Sequence, residues 1–206
     1  VDDPRQARDG VALLSASGAA VIKVAIEPAG GPMLDPETLR AVVAAAHERG
    51  LKVVAHALTT ASVRDAFGAG IDVLAHTPIE PLPDDLVEAL GASGATVIST
   101  LRAFGASDVA CANLAGLAAA GCPIAYGTDL GNGGIRPGID ADELEILSDV
   151  LGGRGRALAA ATSESGALAG FDGRIAVEAP ADLLWVPRFD SFADLRRDAR
   201  VWIGER

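Results

Sequence analysis

Residues 50–76 read GLKVVAHALTTASVRDAFGAGIDVLAH, and this stretch shows the pattern that decides the fold. A glycine opens a short apolar run, the run ends on a histidine, a helix-like segment follows, and a second glycine opens the next run. Glycine is common just after a helix C-terminus, and a short apolar run without alternation is typical of a parallel strand covered by helices. The stretch therefore predicts strand, helix and strand in parallel order.

The same pattern occurs five times in the 206-residue chain. Each apolar run ends on a residue that can take part in chemistry, in chain order Lys23, His56, His76, Thr100 and Asp129. The carboxyl ends of parallel strands meet on one face of the sheet, where such folds build active sites. We therefore predict an α/β fold, a partial (β/α)8 TIM-like barrel of about five βα units, and an enzyme.

The pattern changes after residue 140, where helices precede the turn-rich segment GFDGRIAVEAPADLLWV at 170–186. That segment ends in a predicted strand, and a short helix and the stretch 201–203 follow. We expect residues 1–170 to form the barrel portion and residues 171–206 to form the C-terminal part of a small β domain.

Composition narrows the class of partner. Half of the residues are apolar, and the formal net charge is -11. An acidic chain is poorly suited to nucleic acid or to an anionic membrane, which both need a basic surface. The apolar runs are too short to span a bilayer. The two cysteines, Cys111 and Cys122, form no disulfide framework. We expect a cytoplasmic protein with a small-molecule substrate.

Lys23 is the most informative single residue. Lys23 and Lys52 are the only lysines among 17 basic residues, so a lysine inside the run VIKVAI is not the chain's routine basic residue. The run predicts a buried side chain, and a buried ammonium group without a partner is costly. Lys52 opens its run and can reach solvent. We therefore predict a functional role for Lys23.

His56, His76 and Asp129 end three other runs and indicate a metal site. Imidazole nitrogens and carboxylate oxygens suit Zn, Mn or Fe, and neighbouring strand ends can bring them to one ion. A single histidine on a strand is more often a core residue. Two histidines, a lysine and an aspartate at equivalent positions are hard to explain by packing alone.

Other candidate sites are weaker. No GxxxxGK[ST] loop and no GxGxxG motif is present, which disfavours nucleotide binding, although the glycines after Leu130 could form an anion-binding loop. Arg102 and Arg136, in predicted loops at the same face, could bind a substrate carboxylate. The acids Asp140, Asp142, Glu143 and Glu145 are interpreted as a solvated helix N-terminus.

Five segments carry a family resemblance: IKVA (22–25), AHERGLKVVAHA (46–57), GIDVLAHT (70–77), NLAGLAAAGCPIAYGTDLG (113–131) and ATSESGALAGFDGRIAVEAPADLLWV (161–186). Together they resemble the amidohydrolase superfamily, in the branch of imidazolonepropionase-like and prolidase-like metal-dependent hydrolases. The likeness runs through nearly the whole chain. The order of the lysine, the two histidines and the GTD motif makes it specific.

The resemblance implies roles for four residues. Lys23 would react with CO2 to form a carbamate that bridges two metals, and His56 and His76 would ligate the more exposed metal. Asp129 would bind the other metal and act as general base and acid. The ions would be one or two divalent metals, with zinc the first choice. The reaction would be cleavage of an amide or cyclic amide C–N bond by a metal-bound hydroxide.

The family's first strand carries an HxH pair, and this chain has no HxH motif. Its first strand matches the family's fourth strand. We therefore expect that the 206 residues alone are not a self-sufficient enzyme, and that a homo-oligomer or an N-terminal segment completes them. The alternative is a catalytically incomplete fragment with a structural or partner-binding role.

Overall fold

A computed structural model describes residues 3–27, 31–131, 137–171, 173–197 and 199–204. Five strands form one sheet in chain order: β1 (Val21–Ala25), β2 (Lys52–His56), β3 (Val73–Leu74), β4 (Thr96–Ile98) and β5 (Ile124–Ala125). The pairs β1–β2, β2–β3 and β3–β4 are parallel. Helices alternate with the strands, so the predicted α/β class with five βα units is confirmed.

The α-helices are α1 (Pro4–Ala16), α2 (Pro36–His47), α3 (Thr60–Ala69), α4 (Asp84–Ser93), α5 (Asp108–Ala119), α6 (Ala141–Leu151), α7 (Arg154–Ala159) and α8 (Ser165–Ala169). A π-helical turn at Ala160–Glu164 joins the last two. Strands β6 (Leu183–Trp185) and β7 (Arg200–Trp202) pair antiparallel. Within the described ranges, no helix is long and apolar enough to cross a membrane.

Local signals in the sequence explain where these helices begin and end. Asp3 and Asp35 accept hydrogen bonds from the first backbone amides of α1 and α2, and each precedes a proline at the first helical position. Gly70 and Gly94 end α3 and α4 in the left-handed conformation, which glycine adopts without steric cost.

The chain divides into two compact units. The first unit contains Val1–Ile98 and Asp108–Pro123, and therefore β1 to β4 with α1 to α5. The second unit contains Ser99–Ser107 and Ile124–Arg206, and therefore β5 to β7 with α6 to α8. The predicted domain boundary at residue 170 lies inside the second unit and stays a prediction.

Strand burial differs from the expectation in the first unit. In β1, Ile22 and Val24 are buried, whereas Val21, Lys23 and Ala25 are exposed. Successive side chains of a strand point to opposite faces, and only one face of β1 is covered. The predicted burial of Lys23 is therefore wrong: the residue lies on the exposed face of β1.

The second unit has its own apolar core. Phe192, Leu144, Leu147 and Ala157 are almost fully buried. All residues of β6 and β7 are exposed, including Trp185 and Trp202. The strand predicted at the end of 170–186 is confirmed as β6.

We expect Gly91→Ala to destabilise the first unit. A Cβ atom at Gly91 in α4 would lie 2.2 Å from the carbonyl oxygen of Ala120, so the backbone would have to shift. Such overpacking costs about 1–3 kcal/mol of unfolding free energy. Gly116→Ala in α5 is the control, because the nearest atom would be a Val87 methyl group at 3.8 Å. Chemical denaturation should show a loss for the first variant and none for the second, and equal effects would contradict the packing.

Candidate functional site

The two strand-end histidines lie side by side in the first unit. His56 is the last residue of β2, and His76 follows β3 by two residues. Their ring centroids are 4.7 Å apart, and the ring planes meet at 78°. His76 is buried and His56 is half-buried. Because β2 and β3 are parallel neighbours, their carboxyl ends bring both rings to one edge of the sheet.

Lys23 lies on the strand next to His56. The β1–β2 register pairs Lys23 with Val54, and Ala25 with His56. Residues two apart on a strand share a face, so Lys23 and His56 lie on the same, less buried face of this pair. Within the described part of the chain, Lys23 makes no hydrogen bond or ion pair. The residue is exposed.

Asp129 lies in the second unit, four residues after β5. Its backbone φ is 49°, and φ at Thr100, two residues after β4, is 45°. Non-glycine residues rarely adopt this left-handed conformation, which costs on the order of 1–3 kcal/mol and is frequent at functional sites. The predicted site residue Asp129 therefore has a rare backbone conformation, and its role in the site stays a prediction.

Arg102 is engaged with carboxylates of its own unit. Its guanidinium group donates to Asp140 Oδ2 at 2.6 Å and lies 3.5 Å from Asp142 Oδ2. Binding of a substrate carboxylate by Arg102 stays a prediction, and it would have to compete with these contacts. Arg136 lies outside the described residues, so its predicted role also stays a prediction.

The interpretation of Asp140 and Glu143 as solvated acids is wrong. Asp140 is 6% exposed and Glu143 is 1% exposed. Glu143 accepts hydrogen bonds from the backbone amides of Leu101 at 3.0 Å and Arg102 at 2.7 Å, and so holds the loop that follows β4. Burial raises the pKa of Glu143 despite these hydrogen bonds.

This raised pKa predicts a pH dependence of stability. The ordinary pKa of a glutamate carboxyl group is 4.5, so the unfolded chain loses the Glu143 proton at a lower pH than the folded chain does. Stability therefore falls as pH rises through the raised pKa. The unfolding free energy of the wild type, relative to Glu143→Gln, should decrease from pH 4.5 upward and then level off. Denaturant unfolding across this range measures it, and an increase would contradict the assignment.

Sequence reasoning missed Glu27, which follows β1 by two residues. Its Oε1 atom accepts hydrogen bonds from Leu58 N, Thr59 N and Ser62 Oγ, all in the segment after His56. Burial raises the pKa of Glu27, but these hydrogen bonds and the nearby His56 ring outweigh it, so the pKa lies below its usual value. The sequence feature that could have indicated Glu27 is its position, because this glutamate directly follows the strand that carries Lys23.

The metal fit can be judged from the donors. Two adjacent imidazoles could supply two nitrogen ligands of the kind that zinc prefers. Over the described ranges, no group of three or more His, Cys, Asp and Glu side chains is arranged to hold a metal ion. The histidine pair therefore fits half of a metal site.

A cavity of about 300 Å³ lies elsewhere in the first unit. It is lined by Lys52 and Thr96, the first residues of β2 and β4, together with Asp72 and Gly94. It is therefore at the amino ends of the strands, whereas the histidines are at the carboxyl ends. We place the candidate site at the histidines, because imidazole nitrogens can bind a metal ion, whereas the polar surface cavity is distinguished only by its size.

Solved structures share this fold. A prolidase complexed with N-methylphosphonate-L-proline has 22% identity and a TM-score of 0.81, with 100% of this chain and 60% of that chain covered. An A. niger ochratoxinase has 23% identity and a TM-score of 0.82, with 99% and 54% covered. A Xaa-Pro dipeptidase with bound methionine in the active site has 20% identity and a TM-score of 0.82, with 99% and 59% covered.

The chain thus spans 54 to 60% of the length of these three similar structures. At these identities the likeness shows the fold alone. No curated protein matches the sequence. The sequence model of the Amidohydrolase family matches residues 4–203, which is nearly the whole chain. The chain therefore belongs to the Amidohydrolase family.

Proposed function

We propose that the protein is a metal-dependent hydrolase that cleaves an amide or cyclic amide C–N bond in a small molecule. The observation that carries the proposal is the pair of histidine rings, 4.7 Å apart at neighbouring strand ends. Family membership and the similarity to a prolidase, a Xaa-Pro dipeptidase and an ochratoxinase support the reaction class. The net charge of -11 favours a small molecule over nucleic acid as the partner.

Four residues would hold the metal: His56, His76, Asp129 and Lys23 as a carbamate. One or two divalent ions, with zinc the first choice, would polarise the scissile carbonyl and lower the pKa of a water molecule toward neutrality. The exposed amine of Lys23 supports carbamate formation, because CO2 can reach it. In that step the neutral amine forms an N–C bond to CO2 and releases one proton.

Asp129 is proposed as the general base and acid. Its carboxylate takes a proton from the attacking water and later gives it to the leaving nitrogen. The new C–O bond forms first, and the C–N bond breaks when the nitrogen takes the proton. The products are an acid and an amine, which stay in one molecule where the amide is cyclic. Arg102 and Arg136 are proposed to bind a carboxylate of the substrate.

The second candidate is a catalytically incomplete protein with a structural or partner-binding role. The absence of a three-residue cluster of His, Cys, Asp and Glu ligands within the described ranges favours it. The two candidate functions predict different effects of added metal on the activity of the protein.

A panel of dipeptides, N-acyl amino acids and hydantoin-like rings, assayed with and without added Zn²⁺, separates them. The hydrolase hypothesis predicts that amine is released, that a chelator stops the release, and that added metal restores it. A chain that stays folded, binds no metal and releases no amine would support the structural role instead.

A further inference from the structure

Two polar side chains outside the candidate site hold the segments that follow the histidines. The first is Glu27. Its Oε1 atom lies 2.5 Å from Leu58 N, 3.1 Å from Thr59 N and 2.7 Å from Ser62 Oγ. Three donors on one oxygen tie the end of β1 to the turn between His56 and α3.

The second side chain is Asn113 in α5, which is 7% exposed. Its Nδ2 donates to the carbonyl oxygens of Pro78 and Glu80, both at 2.8 Å. Its Oδ1 accepts from Leu82 N at 3.1 Å. A single buried amide therefore fixes the loop after His76, which has no regular secondary structure of its own.

The two segments are also bonded to each other. Ile79 N donates to Leu58 O at 2.9 Å. Thr60 donates through its backbone amide to Glu80 Oε2 at 2.9 Å and through its hydroxyl to Pro81 O at 2.9 Å. We call Glu27, Asn113 and the segments 57–60 and 78–82 the loop clamp. It joins the chain directly after His56 to the chain directly after His76.

This arrangement matters for metal binding because it affects the distance between the two imidazole rings. Imidazole nitrogens must lie about 2.0–2.1 Å from a zinc ion, so two rings that share an ion tolerate little drift. Surface loops normally open at low free-energy cost. Because both loops are already held in the metal-free protein, less conformational entropy is lost when the ion binds.

We propose that Glu27 and Asn113 are positioning residues that set the spacing of His56 and His76 before a metal ion binds. The inference rests on the proposed function only in taking this pair as metal ligands. It deepens that function by assigning the preorganisation of the pair to the loop clamp.

The test compares Glu27→Gln with Glu27→Leu. The glutamine keeps an oxygen at the position that accepts all three hydrogen bonds, whereas the leucine removes it at similar size. Loss of such outer-shell support typically lowers metal affinity about 10-fold to 100-fold. We expect this loss in Zn²⁺ titration calorimetry for the leucine variant and near wild-type affinity for the glutamine variant. Asn113→Leu should behave like Glu27→Leu.

A second readout needs no metal. In the metal-free wild type, ring protons of His56 and His76 should show a nuclear Overhauser contact by NMR, and Glu27→Gln should keep it. Glu27→Leu and Asn113→Leu should weaken or lose it. If a leucine variant does not fold, Ser62→Ala, which removes one of the three donors, should show the same change to a smaller degree.

The outcomes separate the two hypotheses. Wild-type affinity and ring contact in Glu27→Leu would overturn the positioning role, and so would a glutamine variant that loses as much as the leucine variant. If His56→Ala and His76→Ala leave Zn²⁺ affinity unchanged, the proposed metal site is wrong. The ring contact still decides whether the clamp sets the spacing.

Discussion

Asp129→Asn is expected to lose most of the turnover while the protein keeps its metal. An amide has nearly the shape of the carboxylate and keeps a carbonyl oxygen that can ligate the metal, but it cannot accept the proton, and loss of a general base costs about 10²-fold to 10⁴-fold in rate. Asparagine is the suitable replacement because φ at Asp129 is 49°, and asparagine tolerates this conformation better than alanine. Steady-state kinetics with metal analysis measure both effects.

Asp149→Asn is the matched control. Asp149 is exposed on α6 in the same unit, and its substitution makes the same change of charge. It should leave turnover unchanged. Full activity in Asp129→Asn, or equal losses in both variants, would show that Asp129 is not the base.

Lys23→Ala is expected to lose bound metal, and a short-chain carboxylate such as acetate should restore part of it. The carboxylate would occupy the space of the carbamate and supply oxygen ligands in its place. Metal content per chain, measured with and without acetate after dialysis, gives the answer.

Lys52→Ala controls for the loss of a lysine. Lys52 is the other lysine, is exposed like Lys23, and opens the neighbouring strand β2. Its variant should keep wild-type metal content. A Lys23→Ala protein that binds metal as well as the Lys52→Ala protein does would contradict the assigned role.

Sequence patterns predicted the elements well where local signals mark their ends. The strand, helix and strand predicted within residues 50–76 are β2, α3 and β3. Strand ends were less accurate. The run predicted as a strand to His76 is regular strand only at Val73–Leu74, and one further hydrogen bond joins Ala75 N to Ala55 O, so the apolar run extends beyond the paired positions.

The sequence did not predict which polar groups are buried. Lys23 was expected to be buried and is exposed, and Glu143 was expected to be solvated and is 1% exposed. Both errors depend on what packs against the residue. Glu143 accepts hydrogen bonds from backbone amides more than forty positions away, and no local sequence pattern predicts such a partner.

The candidate site was predictable in composition but not in geometry. The position of His56 and His76 at strand ends followed from the repeated pattern. Their ring separation depends on side-chain conformations and on the loop clamp. The support from Asn113 was not predictable either, because it links residues more than thirty positions apart.

Metal content tests the central claim most directly, that strand-end residues of this chain bind a divalent ion. Elemental analysis should compare the purified protein with the His56→Ala/His76→Ala double variant after equal dialysis against Zn²⁺. We expect zinc near stoichiometric amounts in the wild type and a large loss in the double variant. A wild type that stays folded without bound metal, or a double variant that binds as much as the wild type, would contradict the claim.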